Sequence, residues 1–274
     1  LARVIARKND QRLKVQDPIM IFGCARSGTT ALKEVVAGHK SIVPVPFEAN
    51  DLWHPSMYPW RDSDLQIPPI WADPYAFTAL SMEKGREYRR RELTSIFGAY
   101  NSIHSGKRLL LKSAMVAFML PEMLELFPEL KLIHLHRDGR AVALSLAKKQ
   151  WIEANKHKEL YKQKGYWMPF DDLLNRMAHH WVEHIEEIER QDKMLSLSTR
   201  KQMITVKYED FCDNPSFLSE AIADFCGIGI TRFDKRRFEE VKQQNYKYQN
   251  ELTDIQINRM LDVMAPTLNK LGYD

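Results

Sequence analysis

The chain has 274 residues, 44% of them hydrophobic and 10% aromatic, enough apolar material for one sizeable core near the upper size limit of a single domain. Its 40 basic and 36 acidic residues are dispersed and leave a formal charge of +4, which argues against a basic nucleic-acid stripe and suits a small polyanionic ligand. The longest apolar runs, Pro18 to Cys24 and Leu130 to Leu135, fall far short of the roughly 20 residues that cross a bilayer, and no signal-peptide pattern opens the chain.

Residues 1–16 are basic and polar, with Arg3, Arg7, Lys8, Arg12 and Lys14 scattered through them, and are predicted to form a solvated arm or helix ahead of one domain over 17–274. Cys24, Cys212 and Cys226 are odd in number and lack the tight spacing of a zinc or redox site, so a reducing, cytoplasmic setting is expected. The chain begins at Leu1 rather than Met, which leaves an upstream anchor or further domain open.

Pro18 to Gly23 is a short apolar run closed by glycine and reads as a buried strand, followed by a helical pattern from Thr29 to Ala37 and a second strand from Ile42 to Val45. Phe47 to Tyr75 is rich in Pro, Trp and Asp and has no periodicity, which predicts a long irregular loop of the kind that often carries function. Strand patterns return at Arg108–Lys112, Lys131–His136 and Gln202–Lys207, each followed by a helical stretch: Met115 to Phe127, Ala141 to Lys149 and Pro215 to Cys226. This alternation predicts an α/β fold of three layers, a mostly parallel sheet flanked by helices.

Gly23-Cys-Ala-Arg-Ser-Gly-Thr-Thr30 is the most informative segment. Gly23 and Gly28 have the glycine spacing of a phosphate-binding loop between a strand and a helix, where backbone N–H groups and the positive helix end face an anion. A nucleotide hydrolase or kinase would follow Gly28 with Lys and then Ser or Thr, for the terminal phosphates and magnesium. Thr29 stands in the lysine's place, and the cation sits inside the loop at Arg26.

Arg26-Ser27-Gly28-Thr29-Thr30 resembles the 5′-phosphosulfate loop of the sulfotransferase superfamily, in its bacterial and carbohydrate-type branch that begins the loop with arginine. The resemblance continues in order through His39-Lys40, Phe47-Glu48, Leu111-Lys112-Ser113, Phe127-Pro128, Val206 to Phe211, Asn214-Pro215 and Leu271-Gly-Tyr273. It implies a P-loop-like fold, 3′-phosphoadenosine 5′-phosphosulfate (PAPS) as sulfuryl donor, adenosine 3′,5′-bisphosphate (PAP) as product, and no metal. Ser27, Gly28, Thr29 and Thr30 are then expected to hold the 5′-phosphate, with Arg26 on the transferring group and the leaving oxygen.

Leu135-His136-Arg137-Asp138-Gly-Arg140, with Ser145 further on, resembles the family's 3′-phosphate grip, in which Arg137 and Ser145 share one anion. An arginine at a strand's carboxyl end points where open α/β sheets bind ligands, which agrees with that role. Asp138 and Arg140 read as a turn and helix-start pair. Tyr208 and Lys247, the latter in the lid-like segment Asn245 to Tyr248, complete the expected cofactor contacts.

An acceptor hydroxyl needs a base within hydrogen-bond reach. Glu48, after the second strand, matches the glutamate that arginine-type relatives place beside the acceptor, with Asp51 and His54 of the same loop as alternatives. Lys112 is expected at the sulfuryl oxygens; the histidine that relatives often carry just beyond this lysine is missing, since Lys112-Ser113-Ala114 runs into Met115-Val116. His134 and His136 alternate with apolar strand residues, and His179, His180 and His184 lie on an aromatic helix without the Glu of a metalloprotease pattern, so core or surface positions are expected for them rather than zinc.

The expected partner is a small-molecule acceptor, with no nucleic acid and no membrane; Trp53, Trp60 and Trp71 among acidic residues suggest a polar, cationic or aromatic natural product, and sugars use aromatic surfaces too. Two rivals remain: a magnesium-dependent P-loop kinase, which would prefer ATP with magnesium to PAP, and a non-catalytic anion- or nucleic-acid-binding module, which would show steep salt dependence.

Overall fold

Ile19–Phe22 forms strand β1, and all four of its side chains are buried, which is the signature of a strand covered on both faces. In the computed structural model, which describes residues 17–46, 68–75, 86–104, 107–229 and 232–273, β1 is the centre of a five-stranded sheet. The other strands are β2 (Ile42–Pro44), β3 (Arg108–Lys112), β4 (Lys131–His136) and β5 (Met203–Lys207), in the spatial order β2-β3-β1-β4-β5. Every pairing is parallel, so the sheet is wholly rather than mostly so.

Alternation along the strands sorts the core into two layers. Met20, Phe22, Leu109, Leu111 and Leu132 face one side, where they meet Phe97, Val116, Leu120, Met123 and Ile188. Ile19, Ile21, Leu110, Ile133 and Leu135 face the other and meet Leu32, Val36, Phe211 and Ile222. Helix α1 (Thr29–Ala37) thus covers one face, and α2 (Arg86–Ile103) and α3 (Leu120–Leu126) cover the other. The stretch from Met115 to Phe127 is not one helix. A 3-10 turn over Ala114–Phe118 ends before α3, because Pro121 in the first turn of α3 has no N–H to continue a ladder and Met119 leaves helical geometry at φ −151°.

Helix α4 (Gly139–Lys156) leaves β4 and packs with α5 (Phe170–Met194) around the buried Trp181. After β5 the chain enters α6 (Tyr208–Asp213) and α7 (Pro215–Cys226), where the Asn214 carbonyl oxygen Oδ1 caps α7 by accepting from Phe217 N–H at 3.1 Å. A short helix α8 (Lys247–Glu251) leads to α9 (Asp254–Lys270), which Thr253 and Gln256 open with a reciprocal capping box.

The strand order has a functional consequence. From β1 the chain runs through α1 to β2 and β3 on one side, and from β4 through α4 and α5 to β5 on the other. Strand order therefore reverses between β1 and β4, whose carboxyl ends lie side by side with Phe22 opposite His134. Such a switch point is where open α/β sheets take their ligands.

Candidate functional site

Both segments singled out by sequence start at this switch point: the loop Gly23 to Gly28 after β1, and Arg137 after β4. The backbones approach so closely that a Cβ on Gly23 would lie 2.1 Å from the Leu135 carbonyl oxygen. Glycine is required there because the neighbouring strand fills the space of a side chain. Gly28 is constrained twice over, by φ +94° and by the Tyr208 ring, whose Cδ2 would lie 2.5 Å from an added Cβ.

Within the loop, Ser27 N–H donates to the Cys24 carbonyl at 3.0 Å and closes a turn. Arg26 takes φ +75°, an uncommon conformation for a residue with a Cβ, which costs about 1–2 kcal/mol and marks a loop held in shape by its surroundings. Gly28 caps α1 without any side-chain bond. The first N–H groups of α1, from Thr29 and Thr30 onward, thus receive no side-chain cap from Gly28 and carry the positive end of the helix dipole. Ser27 is fully buried and its Oγ has no partner among the described residues. Thr29 is buried and Thr30 exposed.

Arg137 is 7% exposed. Its guanidinium lies 4.3 Å from the Tyr208 ring centroid, its Nη1 donates to the Arg26 carbonyl at 3.1 Å, and its Nε donates to Asn245 Oδ1 at 2.8 Å. Arg26 in turn donates from Nε to Ser145 Oγ, on α4, at 2.9 Å. Arg137 is therefore bonded to the backbone of Arg26 and Ser145 to its side chain, and the cations, hydroxyl and helix N-terminus linked in this way are of the kind that suit an anion. Asp138 starts α4 by accepting from Arg140 N–H at 2.9 Å and holds the Arg140 guanidinium at 2.9 Å.

Tyr208 does more than its place in the sequence implies: its hydroxyl donates to the Lys242 carbonyl at 3.1 Å and ties the segment before Asn245 to the site. Lys247 is exposed on α8. Lys112, half-buried, closes β3 opposite Ile21. Glu48, Asp51 and His54 lie outside the described residues, as does most of the irregular loop; of its end, Trp71 is buried against Tyr166 with ring centroids 6.4 Å apart. Sequence reasoning missed Asn245 and Glu209. Asn245 opens the segment in which Lys247 is the expected contact, and Glu209 lies inside Val206 to Phe211 with no spacing signal of its own.

His134, His136, His180 and His184 are all buried. His134 stacks on Phe22 at 5.2 Å and lies 6.0 Å from His136, while His180 and His184 are 6.4 Å apart on α5. Burial holds His180 at a pKa of about 3, reinforced by His184 and Arg176, and His184 at about 4, against a weak opposing bond from the Ala114 carbonyl. Among the described residues no group of three or more His, Cys, Asp or Glu is arranged to hold a metal. Burial also pushes the Cys24 thiol far up, away from any nucleophilic role at neutral pH.

A profile of the Sulfotransferase family matches residues 18–232. Solved structures share the fold at low identity. Sulfotransferase STF9 from Mycobacterium avium is 14% identical with a TM-score of 0.65, covering 100% of this chain and 82% of its own. The sulfotransferase domain from the curacin biosynthetic pathway is 16% identical with a TM-score of 0.56, covering 94% and 98%. Mouse sulfotransferase SULT7A1, solved in complex with PAP, is 13% identical with a TM-score of 0.51, covering 95% and 90%. No curated protein sequence matches the chain. No described helix is long and apolar enough to cross a membrane. The loop after β1, the arginine after β4 and a family match over most of the chain agree, and the chain belongs to the sulfotransferase family.

Proposed function

We propose that this chain transfers a sulfuryl group from PAPS to a hydroxyl or amine of a small-molecule acceptor. The observation that carries the reading is the linkage of Arg137 and Ser145 through Arg26, its backbone carbonyl to the one and its side chain to the other, at the start of α1. One bisphosphorylated nucleotide matches that arrangement: Thr29, Thr30 and Ser27 at its 5′-phosphate, Arg137 and Ser145 at its 3′-phosphate. The mouse relative's complex with PAP supports the choice of donor.

In the transfer the acceptor oxygen forms a bond to sulfur as the bond from sulfur to the 5′-phosphate oxygen breaks, and that oxygen keeps the electron pair. Arg26 neutralises the charge growing there, and the N–H groups of α1 share it. Lys112 meets the sulfuryl oxygens from the end of β3. The acceptor's proton passes to a base, for which Glu48 is our assignment on sequence grounds, with Asp51 and His54 behind it. Thr29 in the place of a kinase lysine removes the cation that engages terminal phosphates, and we propose that transfer needs no metal.

Calorimetry with PAP in the presence of a chelator tests the donor half, and a labelled transfer screen with PAPS across phenols, sugars, amines and hydroxylated alkaloids tests the acceptor half. Binding of PAP without metal is expected. No binding, or binding only of ATP with magnesium, sinks the reading. For the base, Glu48→Gln is expected to lower turnover about a hundredfold or more with PAP affinity kept, as for lost proton transfer. Parental turnover in Glu48→Gln, with a collapse in Asp51→Asn or His54→Gln, moves the role to that residue.

A further inference from the structure

Glu209, the first residue after Tyr208 in α6, sits at the centre of a network that reaches Arg137 without touching it. Its Oε1 accepts from Asp138 N–H at 3.2 Å and from the Asn245 amide nitrogen, and its Oε2 accepts from Tyr273 hydroxyl at 3.0 Å. The Tyr273 oxygen lies 2.9 Å from His136 Nδ1. Asn245 then accepts from Arg137 Nε at 2.8 Å. An ionised carboxylate only accepts and a guanidinium only donates, so the Asn245 amide between them has a single possible orientation. For the same reason Tyr273 donates to Glu209 and accepts from His136 Nδ1–H.

We propose that Glu209 is a positioning residue of the anion site, fixing the plane of the Arg137 guanidinium through Asn245 and the start of α4 through Asp138. The inference rests on the reading of Arg137 as the 3′-phosphate ligand. The neutral amide between the two charges is what makes the arrangement useful. A carboxylate in direct contact with Arg137 would compete with a phosphate for the same donors and offset its charge. Among the described residues no carboxylate lies within ion-pair distance of Arg137, and its Nη2 has no hydrogen-bond partner. Nε is bound to Asn245 and Nη1 to the Arg26 carbonyl, so the guanidinium is fixed at two points with its remaining edge left to a ligand. The same carboxylate holds Tyr273 of the C-terminal segment and, through it, His136 at the end of β4, so the strand that delivers Arg137 is gripped at its carboxyl end as well.

The test compares calorimetric affinities for PAP and for adenosine 5′-monophosphate, which lacks the 3′-phosphate. In Glu209→Ala the affinity for PAP is expected to fall tenfold or more while that for the monophosphate stays within about twofold, because only the Arg137 end loses its anchor. Glu209→Gln is expected to keep most of the preference: its amide oxygen can still accept from Asp138 and Asn245, and its NH2 can donate to Tyr273 once His136 moves its proton to Nε2 and its bare Nδ1 accepts the Tyr273 hydroxyl. Asn245→Ala, with Glu209 intact, is expected to reproduce the selective loss and serves if Glu209→Ala does not fold. An unchanged preference in Glu209→Ala or Asn245→Ala, or an equal fall for both ligands, overturns the proposal. A parent protein that does not prefer PAP to the monophosphate overturns instead the assignment of Arg137 on which it rests.

Discussion

Arg137→Ala is expected to weaken PAP binding by about 2–5 kcal/mol, a factor of tens to thousands. The size follows from burial. Arg137 is 7% exposed, so its contact with a phosphate is made largely out of water, where a charge-assisted pair is stronger and its loss leaves an anion without its counter-charge. The side chain also donates to the Arg26 carbonyl, so the loop that receives the 5′-phosphate loosens somewhat, and a fall of a few-fold is expected for adenosine 5′-monophosphate. Arg137→Lys separates charge from geometry: it keeps the cation but loses the fixed fork that bonds Asn245 and Arg26 together, and is expected to fall between parent and alanine. Equal large losses for PAP and the monophosphate in Arg137→Ala would mean that the residue supports the fold and not the 3′-phosphate.

The parts of this site legible in the sequence are those that local chemistry dictates. β1 is buried on both faces and reads as an unbroken apolar run, Gly23 and Gly28 mark where backbone needs room, and Asn214-Pro215 starts a helix. Arg137 was visible for the same reason, as a cation at a strand end. What escaped is long-range or unpunctuated. Tyr208 begins α6 directly after β5, with no glycine or proline to signal the change, so Glu209 gave no sign of turning toward the site. Asn245 meets Glu209 across 36 positions and Arg137 across 108, distances over which no spacing rule operates. The meeting of Arg26 with Ser145 is of the same kind: sequence assigned them to opposite phosphates of the donor, and the proximity of β1 and β4 brings them within a hydrogen bond.

The buried histidines were equally hard to place, because alternation on β4 and helical spacing on α5 do not reveal that the two sets share the core, and their burial predicts a loss of stability in mild acid. An unfolded histidine titrates near 6.5, whereas His180 and His184 are held at about 3 and about 4, and His134 well below its usual value, chiefly by burial. Since the folded pKa values are depressed, the unfolded chain binds more protons below pH 6.5, and stability falls as pH drops. It is constant in this respect above about pH 7.5, declines from 6.5 downward, and the loss from each group is complete once pH passes its folded value. Each such group contributes up to roughly 1.4 kcal/mol per pH unit, so His180 and His184 together remove several kcal/mol between pH 6.5 and 4, a large share of a typical domain's margin. Arg176 adds to the cost near His180 and is itself paired with Glu183 at 3.0 Å, which keeps its charge in place. The side-chain nitrogens His134 Nε2, His180 Nδ1 and His184 Nδ1 have no partner among the described residues, so no carboxylate bonded to them stabilises the imidazolium that acid would form. Urea unfolding at a series of pH values is the measurement, with the double variant His180→Gln and His184→Gln as reference. The parent is expected to lose stability between pH 6.5 and 5 more steeply than the variant, by up to about 1.4 kcal/mol per pH unit for each histidine removed. Parallel curves for the two proteins would show that these imidazoles titrate freely in the folded state and that the sheet and α5 are not sealed around them.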